Sequence, residues 1–383
     1  MKVIVLGAGL VGAPMAFDLA VNNEFNVFVA DLCEKALDKF SSSPHIETIQ
    51  ADLSDSEVLK GVISSADIVL NAVPGFMGYS TMETIISQGK NVIDISFFPE
   101  DALKLNTLAL ENDVTAIVDI GVAPGMSNIL PGYVDHILDK TKSILIYVGG
   151  LPKVRELPYE YKAVFSPIDV IEEYTRPARY IENGKLITMP ALSEPEYLHF
   201  DSVGTLETFN SDGIRSLAKT MPDVPNIKEK TLRYPGHIRI MEIMRETGFF
   251  SEDSVEVKGV NVRPIDLTAK LLFPKWELKP GEVDYTIMRI IVEGEKDGVK
   301  VRHTYSLFDE YCPKTMVHSM ARTTGYTATT ALRMLAEGVF TDKGITVPEY
   351  IGKKPKCVEF MLNGLEKRGV NYDLKVEEIN EDC

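Results

Sequence analysis

A glycine-rich turn and an acidic residue near the N-terminus have the spacing of a dinucleotide-binding site. Gly7 opens a Gly-x-Gly-x-x-Gly turn after an apolar, strand-like run, and Asp31 closes the next such run. In this pattern the glycines permit a tight turn, close approach of a pyrophosphate, and tight packing of helix on strand. Amides at the start of the following helix donate to the phosphates. The predicted phosphate-binding residues are Gly7, Gly9, Leu10, Val11 and Gly12.

The acidic residue also indicates which dinucleotide binds. A carboxylate at the end of the second strand accepts hydrogen bonds from the ribose 2′-hydroxyl and repels a 2′-phosphate. Asp31 is followed by Leu32, Cys33 and Glu34, so no arginine stands beside it to receive a phosphate. The sequence therefore predicts NAD as the cofactor, in preference to NADP.

The elements that must position these residues alternate between strand and helix through the first third of the chain. Such alternation predicts an α/β fold with a Rossmann-type, doubly wound parallel sheet, whose ligands bind outside the carboxyl ends of the strands. The six strand-like segments are Lys2–Leu6, Val27–Asp31, Ile46–Gln50, Ile68–Asn71, Asn91–Ile95 and Thr115–Ile120.

Several further residues stand at those carboxyl ends. We assign the adenine to Asp52 and Leu53, although Asp52 could equally cap the helix that follows. The nicotinamide ribose is assigned to Val73 and Pro74. The remaining residues predicted along this edge are Ala72, Asp94, Ser96 and Asp119. Of these, Asp94 and Asp119 are catalytic candidates.

From about Ala123 the pattern becomes that of a second, α+β domain with a mostly antiparallel sheet. Asp297-Gly298 and Asn183-Gly184 are strong hairpin signals. After His318 a helical period returns, and we expect this helix to rejoin the first domain, which is then discontinuous. The expected division is residues 1–122 plus 319–383 for dinucleotide binding and 123–318 for substrate binding and dimerisation.

Composition limits the classes of partner. The chain has 383 residues and a formal net charge of −16, which argues against nucleic acid or an anionic membrane as a partner. No apolar stretch approaches the roughly 20 residues of a membrane helix. The four cysteines are far apart and have no metal-ligand spacing. We expect a cytoplasmic protein without a bound metal, forming a homodimer or homotetramer because its strand-rich domain needs its exposed face covered.

Several segments resemble the saccharopine dehydrogenase family and occur in the family's order over nearly the whole chain. The resemblance implies two domains, a nicotinamide cofactor, and oxidation or formation of a carbon–nitrogen bond of an amino acid. The matching segments are Val118–Gly125, Gly149–Pro152, Tyr161–Lys162 with Phe165–Pro167, Thr231–His237, which is the most specific, and Arg322–Tyr326.

Three departures from the family pattern bear on the substrate. Saccharopine reductases typically have aspartate, cysteine and tyrosine where this chain has Ala123, Val148 and Phe97. Polar groups beside the nicotinamide are thus replaced by apolar ones, which disfavours the large polyanion saccharopine. With Asp31 indicating NAD, the chain resembles the L-lysine 6-dehydrogenases of the same superfamily more closely.

Oxidising the ε-amine of lysine requires a base for the amine proton and groups that hold the distal amino-acid end. Arg233 is the candidate clamp for the carboxylate, with a structural salt bridge as the alternative. His237 could be the base or a helix-start residue, and Asp94 or Asp119 could orient the amine. Further candidates for substrate binding, each also readable as a surface or turn residue, are Lys162, Asn210 and Asp212.

Two other hypotheses remain open. A saccharopine-type or carboxynorspermidine-type dehydrogenase would join an amine to a carbonyl compound instead of oxidising lysine alone. A non-catalytic, NAD-binding sensor could use the same fold, since fold does not settle function.

Overall fold

The fold is taken from a computed structural model, which describes residues 1–164, 167–279 and 281–379. The chain divides into two compact units. The first comprises Met1–His136 and Ala321–Asn371, and the second comprises Ile137–Met320 and the segment from Tyr372.

The elements are as follows. Residues 1–137 form β1 (Lys2–Leu6), α1 (Gly12–Ala20), β2 (Asn26–Asp31), α2 (Glu34–Leu37), β3 (Ile46–Gln50), α3 (Ser56–Ile63), β4 (Ile68–Asn71), α4 (Gly75–Ser87), β5 (Asn91–Asp94), α5 (Asn106–Glu111), β6 (Thr115–Ile117) and α6 (Met126–Ile137). The middle of the chain forms β7 (Lys140–Pro152), α7 (Pro167–Thr175), β8 (Ala178–Glu182), β9 (Lys185–Met189), β10 (Glu196–Phe200), β11 (Gly204–Asn210), α8 (Leu217–Thr220), β12 (Ile227–Arg233), α9 (His237–Thr247), β13 (Val255–Val257), β14 (Val260–Val262), α10 (Pro264–Trp276), β15 (Asp284–Lys296) and β16 (Val299–Glu310). The last stretch forms α11 (Ser319–Ala336), β17 (Gly344–Thr346), α12 (Pro348–Gly352), α13 (Pro355–Glu366) and β18 (Tyr372–Glu378).

The first unit contains the expected parallel sheet, in the order β17-β6-β5-β4-β1-β2-β3. All its pairs are parallel, and β1 and β4 lie side by side at the point where the strand order reverses. Every residue of β4 is buried, as expected for a strand covered by helices on both faces. The sheet has seven strands and not six, because the three-residue β17 adds beside β6 and is too short to give a periodic signal.

The second unit contains a nine-stranded mixed sheet built around β10-β11-β12-β7-β15-β16-β18. It is mostly antiparallel as expected, with one parallel pair between β12 and β7. Both hairpin predictions are confirmed: Asp297-Gly298 joins β15 to β16, and Asn183-Gly184 joins β8 to β9. All four turn residues have positive φ, which is the requirement that selects Asn-Gly and Asp-Gly.

The unit boundaries differ from those expected at 122/123 and 318/319. The first unit keeps residues 123–136, because α6 continues directly from the end of the parallel sheet. The C-terminal tail returns to the second unit, because β18 pairs antiparallel with β16. Its alternation of apolar and polar side chains suits a strand at a sheet edge.

Candidate functional site

The glycine turn of the first unit is built without space for side chains at two of its three glycines. Gly7 has φ +101°, and a Cβ on it would lie 2.6 Å from the carbonyl oxygen of Ala72. A Cβ on Gly12 would overlap the carbonyl oxygen of Gly7. A Cβ on Gly9, in contrast, would meet no atom within 4 Å. Gly7 and Gly12 therefore shape the turn, whereas Gly9 leaves open space where a phosphate group could approach the backbone.

Helix α1 begins at this turn in a manner suited to an anion. Its N-cap residue is Val11, which makes no side-chain capping bond, and the first turn contains no acidic residue. Leu10 is 50% exposed beside it. The amides at such a helix start favour negative charge because of their orientation and the helix dipole.

The Asp31 carboxylate is held at the end of β2 by the same turn. Its oxygens accept hydrogen bonds from the backbone amides of Ala8 (2.7 Å) and Cys33 (2.8 Å). A carboxylate oxygen has more than one acceptor position, so this arrangement orients Asp31 and leaves it able to accept from a ribose hydroxyl. The sequence did not reveal Lys39, whose Nζ donates to the Ala8 carbonyl at 3.2 Å.

The residues assigned to the adenine have local partners. Asp52 accepts from both the amide and the hydroxyl of Ser54, which lowers the pKa of its carboxyl group. Leu53 is buried in the core of the first unit. Asp55, and not Asp52, caps α3 by accepting from Glu57 and Val58. Asp52 thus closes a turn before the helix and does not cap it, so the capping alternative is wrong and the adenine assignment stays a prediction.

A buried carboxyl group, that of Asp94, lies where β4 and β5 end, and Ala72, Val73 and Pro74 follow β4 directly in the chain. Asp94 Oδ1 accepts from Asn71 Nδ2 and from Ser96 Oγ, both at 2.7 Å. Its Oδ2 is buried and has no hydrogen-bond partner among the described residues. Burial, together with the charge of Asp119, raises the pKa of Asp94 to about 7. This carboxyl group can therefore exchange a proton near neutral pH.

The loop after β6 carries Asp119 to the same edge. The amide of Ile120 donates to the carbonyl of Asp94 at 3.2 Å, so the two chain segments are adjacent. Gly121 and Gly125 then form a bridge, and a Cβ on Gly125 would overlap Gly121. A Cβ on Gly121 would also lie 3.0 Å from Thr324 of α11. Two of the segments that carry the family resemblance thus pack against each other at this edge.

In the second unit, the buried Arg233 has several partners, of which Tyr161 and Tyr174 are buried and Glu173 is partly buried. Its guanidinium pairs with the carboxylate of Glu173, donates to Tyr174 Oη at 3.1 Å, and lies 4.6 Å from the ring centre of Tyr161. These partners raise the pKa of Arg233 further above its usual range although burial opposes this. The guanidinium is therefore already paired, which favours the structural salt bridge over the carboxylate clamp that we expected.

His237 belongs to the same network through Tyr174. Its Nδ1 donates to the carbonyl of Tyr159 at 2.8 Å, because a carbonyl can only accept, and its Nε2 lies 3.0 Å from Tyr174 Oη. Burial and the charge of Arg233 lower the pKa of His237 to about 3. The imidazole is thus neutral at physiological pH and a weak proton acceptor, which disfavours the role of base. Its position at the first residue of α9 agrees with the helix-start alternative.

The other three predicted substrate-binding residues are paired elsewhere in the second unit. Lys162 is buried and pairs with Glu156 at 3.1 Å. Asp212 forms two hydrogen bonds with the guanidinium of Arg179, at 2.7 and 2.8 Å. Asn210 Nδ2 donates to Ser193 and Glu194. The structure therefore brings Arg233 and His237 together and supplies each of the remaining three with its own partner.

A second buried carboxyl group was missed by the sequence analysis. Glu229 accepts from the hydroxyl of Ser211 at 2.7 Å, and burial raises its pKa to about 7. A Cβ on Gly213 would overlap this carboxyl group. The only available sequence signal was the alternation of Glu229, Thr231 and Arg233 along β12, which places three polar side chains on one face of a buried strand.

The described residues contain neither a membrane-spanning helix nor a cluster of metal-binding side chains. Across the described ranges, no helix is both long and apolar enough to span a bilayer. In the same residues, no group of His, Cys, Asp and Glu is arranged to hold a metal ion.

Comparison with known proteins places both units in one family. The model of the saccharopine dehydrogenase NADP binding domain matches residues 3–117, and that of the saccharopine dehydrogenase C-terminal domain matches residues 121–370. A solved structure of apo saccharopine dehydrogenase (L-Glu forming) from Saccharomyces cerevisiae superimposes with a TM-score of 0.80 at 19% identity, over 99% of this chain and 100% of that one.

Curated relatives are similar over about two thirds of the chain. The alpha-aminoadipic semialdehyde synthase of Arabidopsis thaliana is 27% identical over 305 residues, covering 68% of this chain and 28% of the relative. The saccharopine dehydrogenase [NADP(+), L-glutamate-forming] of Saccharomyces cerevisiae is 25% identical over 275 residues, covering 67% of this chain and 60% of the relative. The matches thus span less than two thirds of either relative. With both family models matched in order, the chain belongs to the saccharopine dehydrogenase family.

Proposed function

We propose that this protein is an NAD-dependent oxidoreductase that acts on the CH–NH2 group of an amino acid, and that its substrate is L-lysine, oxidised at the ε-carbon. The observation that carries the proposal is the pair of acidic residues, Asp94 and Asp119, at the carboxyl edge of the parallel sheet. An edge of this kind is where ligands bind in doubly wound folds.

The acid pair suits a cationic amine. The ε-ammonium of lysine has a reference pKa of about 10.4 and must lose a proton before hydride can leave its carbon. Negative charge from Asp119 attracts the ammonium group. Asp94, with a pKa of about 7, has the proton affinity that suits acid–base exchange near neutral pH. Asn71 and Ser96 hold the Asp94 carboxyl group in place.

The surroundings of the acid pair favour lysine over saccharopine. Phe97 and Ala123 are half-buried at this edge and offer no cation or donor side chain. Saccharopine would bring an additional dicarboxylate arm beside two acidic residues, and burying it unpaired would cost several kcal/mol. The methylene chain of lysine has no such cost.

The cofactor assignment is supported by the fit of the turn. Gly9 and the start of α1 would hold the pyrophosphate, and Asp31 would accept from the ribose 2′-hydroxyl. A bound nicotinamide dinucleotide supplies the hydride acceptor. Because the family model and the yeast relative carry NADP in their descriptions, preference for NAD is part of the proposal.

The proposed reaction balances as an oxidation followed by hydrolysis. The ε-carbon–hydrogen bond breaks, its electron pair leaves as hydride, and the amine nitrogen loses a proton, so that an imine forms. Water then adds to the imine and ammonia leaves, which gives a six-carbon semialdehyde. Its α-amine closes onto the aldehyde with loss of water, giving a cyclic product.

A substrate panel tests the proposal. Purified protein is mixed with NAD and, separately, L-lysine, L-ornithine, 1,5-diaminopentane or saccharopine, and NADH is followed by absorbance. We expect turnover with L-lysine alone, increasing with pH, and a cyclic product that retains all six carbons by mass spectrometry. Activity only with saccharopine, or only with lysine plus 2-oxoglutarate and a reduced cofactor, would assign the saccharopine reaction that the relatives' names carry. Dinucleotide binding without turnover on any compound would indicate a sensor.

Cofactor preference is tested by binding. Asp31→Ala should lower the ratio of the NADP dissociation constant to the NAD dissociation constant about tenfold, because one charge-assisted hydrogen bond to NAD is lost. Leu32→Arg should strengthen NADP binding. Asp38→Ala, an exposed acidic residue of the same region, is the matched control and should leave the ratio unchanged. A wild-type preference for NADP in fluorescence titration would overturn the assignment.

A further inference from the structure

A lysine outside the Gly-x-Gly-x-x-Gly pattern reaches the glycine turn of the first unit. Lys39 lies in the single helical turn Asp38–Phe40 that follows α2, and its Nζ donates to the carbonyl oxygen of Ala8 at 3.2 Å. The flanking residues Leu37 and Phe40 are buried in the first unit, whereas Lys39 is exposed. This packing fixes the backbone of Lys39 beside the turn and leaves most of its side chain accessible to solvent.

Lys39 and Asp31 contact the same residue of the turn. The amide of Ala8 donates to Asp31 Oδ2 at 2.7 Å, and the carbonyl of Ala8 accepts from Lys39. Because both side chains contact one buried residue, the ammonium group lies near the carboxylate that is assigned to the ribose 2′-hydroxyl. Lys39 is therefore at the ribose end of the proposed site, whereas the pyrophosphate is assigned to Gly9 and the start of α1.

The two charged groups differ in how firmly they are held. Asp31 accepts from two backbone amides, those of Ala8 and Cys33, so its carboxylate cannot withdraw without leaving both donors unpaired. Among the described residues, Lys39 makes one hydrogen bond, to a neutral carbonyl, and no ion pair, although an ammonium group has three donors. On its flexible four-carbon stem, this ammonium group can turn toward an anion that arrives beside the turn.

We propose that Lys39 is a specificity-determining residue of the dinucleotide site: its ammonium group binds a 2′-phosphate, so that this chain accepts NADP as a second, weaker cofactor beside NAD. The proposal rests on the assignment of the glycine turn and Asp31 to a dinucleotide. It adds a cation to a site for which the sequence pattern supplies only an anion.

The charges on the two sides of the ribose explain why both cofactors are accepted. A 2′-phosphate beside the fixed carboxylate of Asp31 is repelled, and the ammonium group of Lys39 offsets part of this repulsion. The net charge of −16 opposes the approach of any anionic ligand, which makes a local cation more important. NAD has no 2′-phosphate, so Lys39 keeps its hydrogen bond to Ala8 when NAD binds, and NAD remains the preferred cofactor.

Binding measurements on the full-length chain test the proposal. Lys39→Met keeps a long, unbranched side chain and removes the charge. The NADP dissociation constant from fluorescence titration should rise about tenfold, because a charge-assisted contact with the phosphate is lost. The NAD dissociation constant should change by less than about twofold, since no contact with NAD is removed. Lys35→Met, which removes an exposed charge from α2, is the matched control and should leave both dissociation constants unchanged.

Two further measurements separate phosphate binding from a structural role. Lys39→Arg should restore NADP binding, because a guanidinium binds phosphate with two parallel hydrogen bonds. Added salt should weaken NADP binding to the wild type more than to Lys39→Met, because the salt screens the contact that only the wild type has. An unchanged melting profile in circular dichroism checks that each variant is folded.

The outcomes distinguish this proposal from the cofactor assignment on which it rests. An unchanged NADP dissociation constant in Lys39→Met, or a failure of Lys39→Arg to restore binding, would overturn the role of Lys39. Equal weakening of NAD and NADP would also overturn it, since this result would assign Lys39 to the pyrophosphate or to support of the turn. A wild-type preference for NADP that Lys39→Met removes would support Lys39 and overturn the preference assigned to Asp31. A chain that binds neither dinucleotide would overturn both proposals.

Discussion

Two acidic residues, one in each unit, have different kinds of partner. In the first unit, the Asp94 carboxyl group accepts two neutral hydrogen bonds, from Asn71 and Ser96, and its other oxygen has no partner among the described residues. In the second unit, Glu173 faces the guanidinium of Arg233, which also contacts Tyr174. The first arrangement keeps capacity for a ligand or a proton, whereas the second satisfies its charges internally. Burial of a charged side chain therefore does not by itself identify a functional residue; the state of its partners does.

The largest expected effect tests whether Arg233 has a structural role. Arg233→Met leaves the partly buried Glu173 without its cation, and removing one partner of a buried pair costs up to about 5 kcal/mol of unfolding free energy. Arg239→Met is the matched control, because Arg239 is exposed and its pair with Glu242 is worth at most about 1 kcal/mol. Urea denaturation of the three proteins gives the comparison. Unchanged stability together with a raised KM for lysine would instead support the carboxylate clamp.

The pH dependence of stability tests the acid of the first unit. Folded Asp94 keeps its proton up to a pH of about 7, whereas an unfolded aspartate loses it near 3.9. The folded state therefore binds more protons between these values, and the free energy of unfolding falls as pH rises across them, by about 4 kcal/mol from this group. Asp94→Asn should remove this contribution while keeping the hydrogen bonds from Asn71 and Ser96.

The controls for this prediction come from both units. Asp52→Asn changes an exposed aspartate of the first unit and should have little effect on how steeply the free energy of unfolding falls with pH. Glu229→Gln should act in the same direction as Asp94→Asn, since burial also raises the pKa of Glu229 to about 7. His237 works in the opposite direction, because it stays neutral down to about pH 3 while an unfolded histidine binds a proton near 6.5. The pH dependence of the unfolding free energy is therefore compared only as a difference between each variant and the wild type. The same pH dependence for Asp94→Asn and the wild type would contradict the prediction.

The smallest expected effect separates two glycines of one turn. Gly12→Ala should lower the free energy of unfolding by about 1–3 kcal/mol, because its Cβ overlaps a backbone oxygen that cannot move alone. Gly9→Ala should change it by less than about 0.5 kcal/mol, since its Cβ enters open space, yet weaken dinucleotide binding. Thermal denaturation and cofactor titration measure the two quantities. Equal effects of both substitutions on stability would show that Gly9 is also a packing residue.

The sequence predicted most of what is local along the chain. The glycine turn, Asp31 after β2 and both two-residue hairpins follow from φ requirements and strand periodicity within a few tens of residues. The family segments were also recognisable by their own residues. The short strand β17 and the return of β18 to the second sheet were not predicted, because a strand's position in a sheet depends on partners that are distant in the chain. The partner of β17, for example, is β6, more than a hundred residues earlier.

The sequence determined the chemical nature of each candidate side chain. Only the tertiary structure decided whether that side chain is available to bind a substrate or exchange a proton. Arginine, histidine and aspartate can each bind a substrate or exchange a proton, and their order along the chain does not say what they face. Folding brought Glu173 and Tyr174 to Arg233, and placed Asp119 beside Asp94. Electrostatic interaction depends on distance in space and on the exclusion of water, and neither quantity is encoded by spacing along the chain.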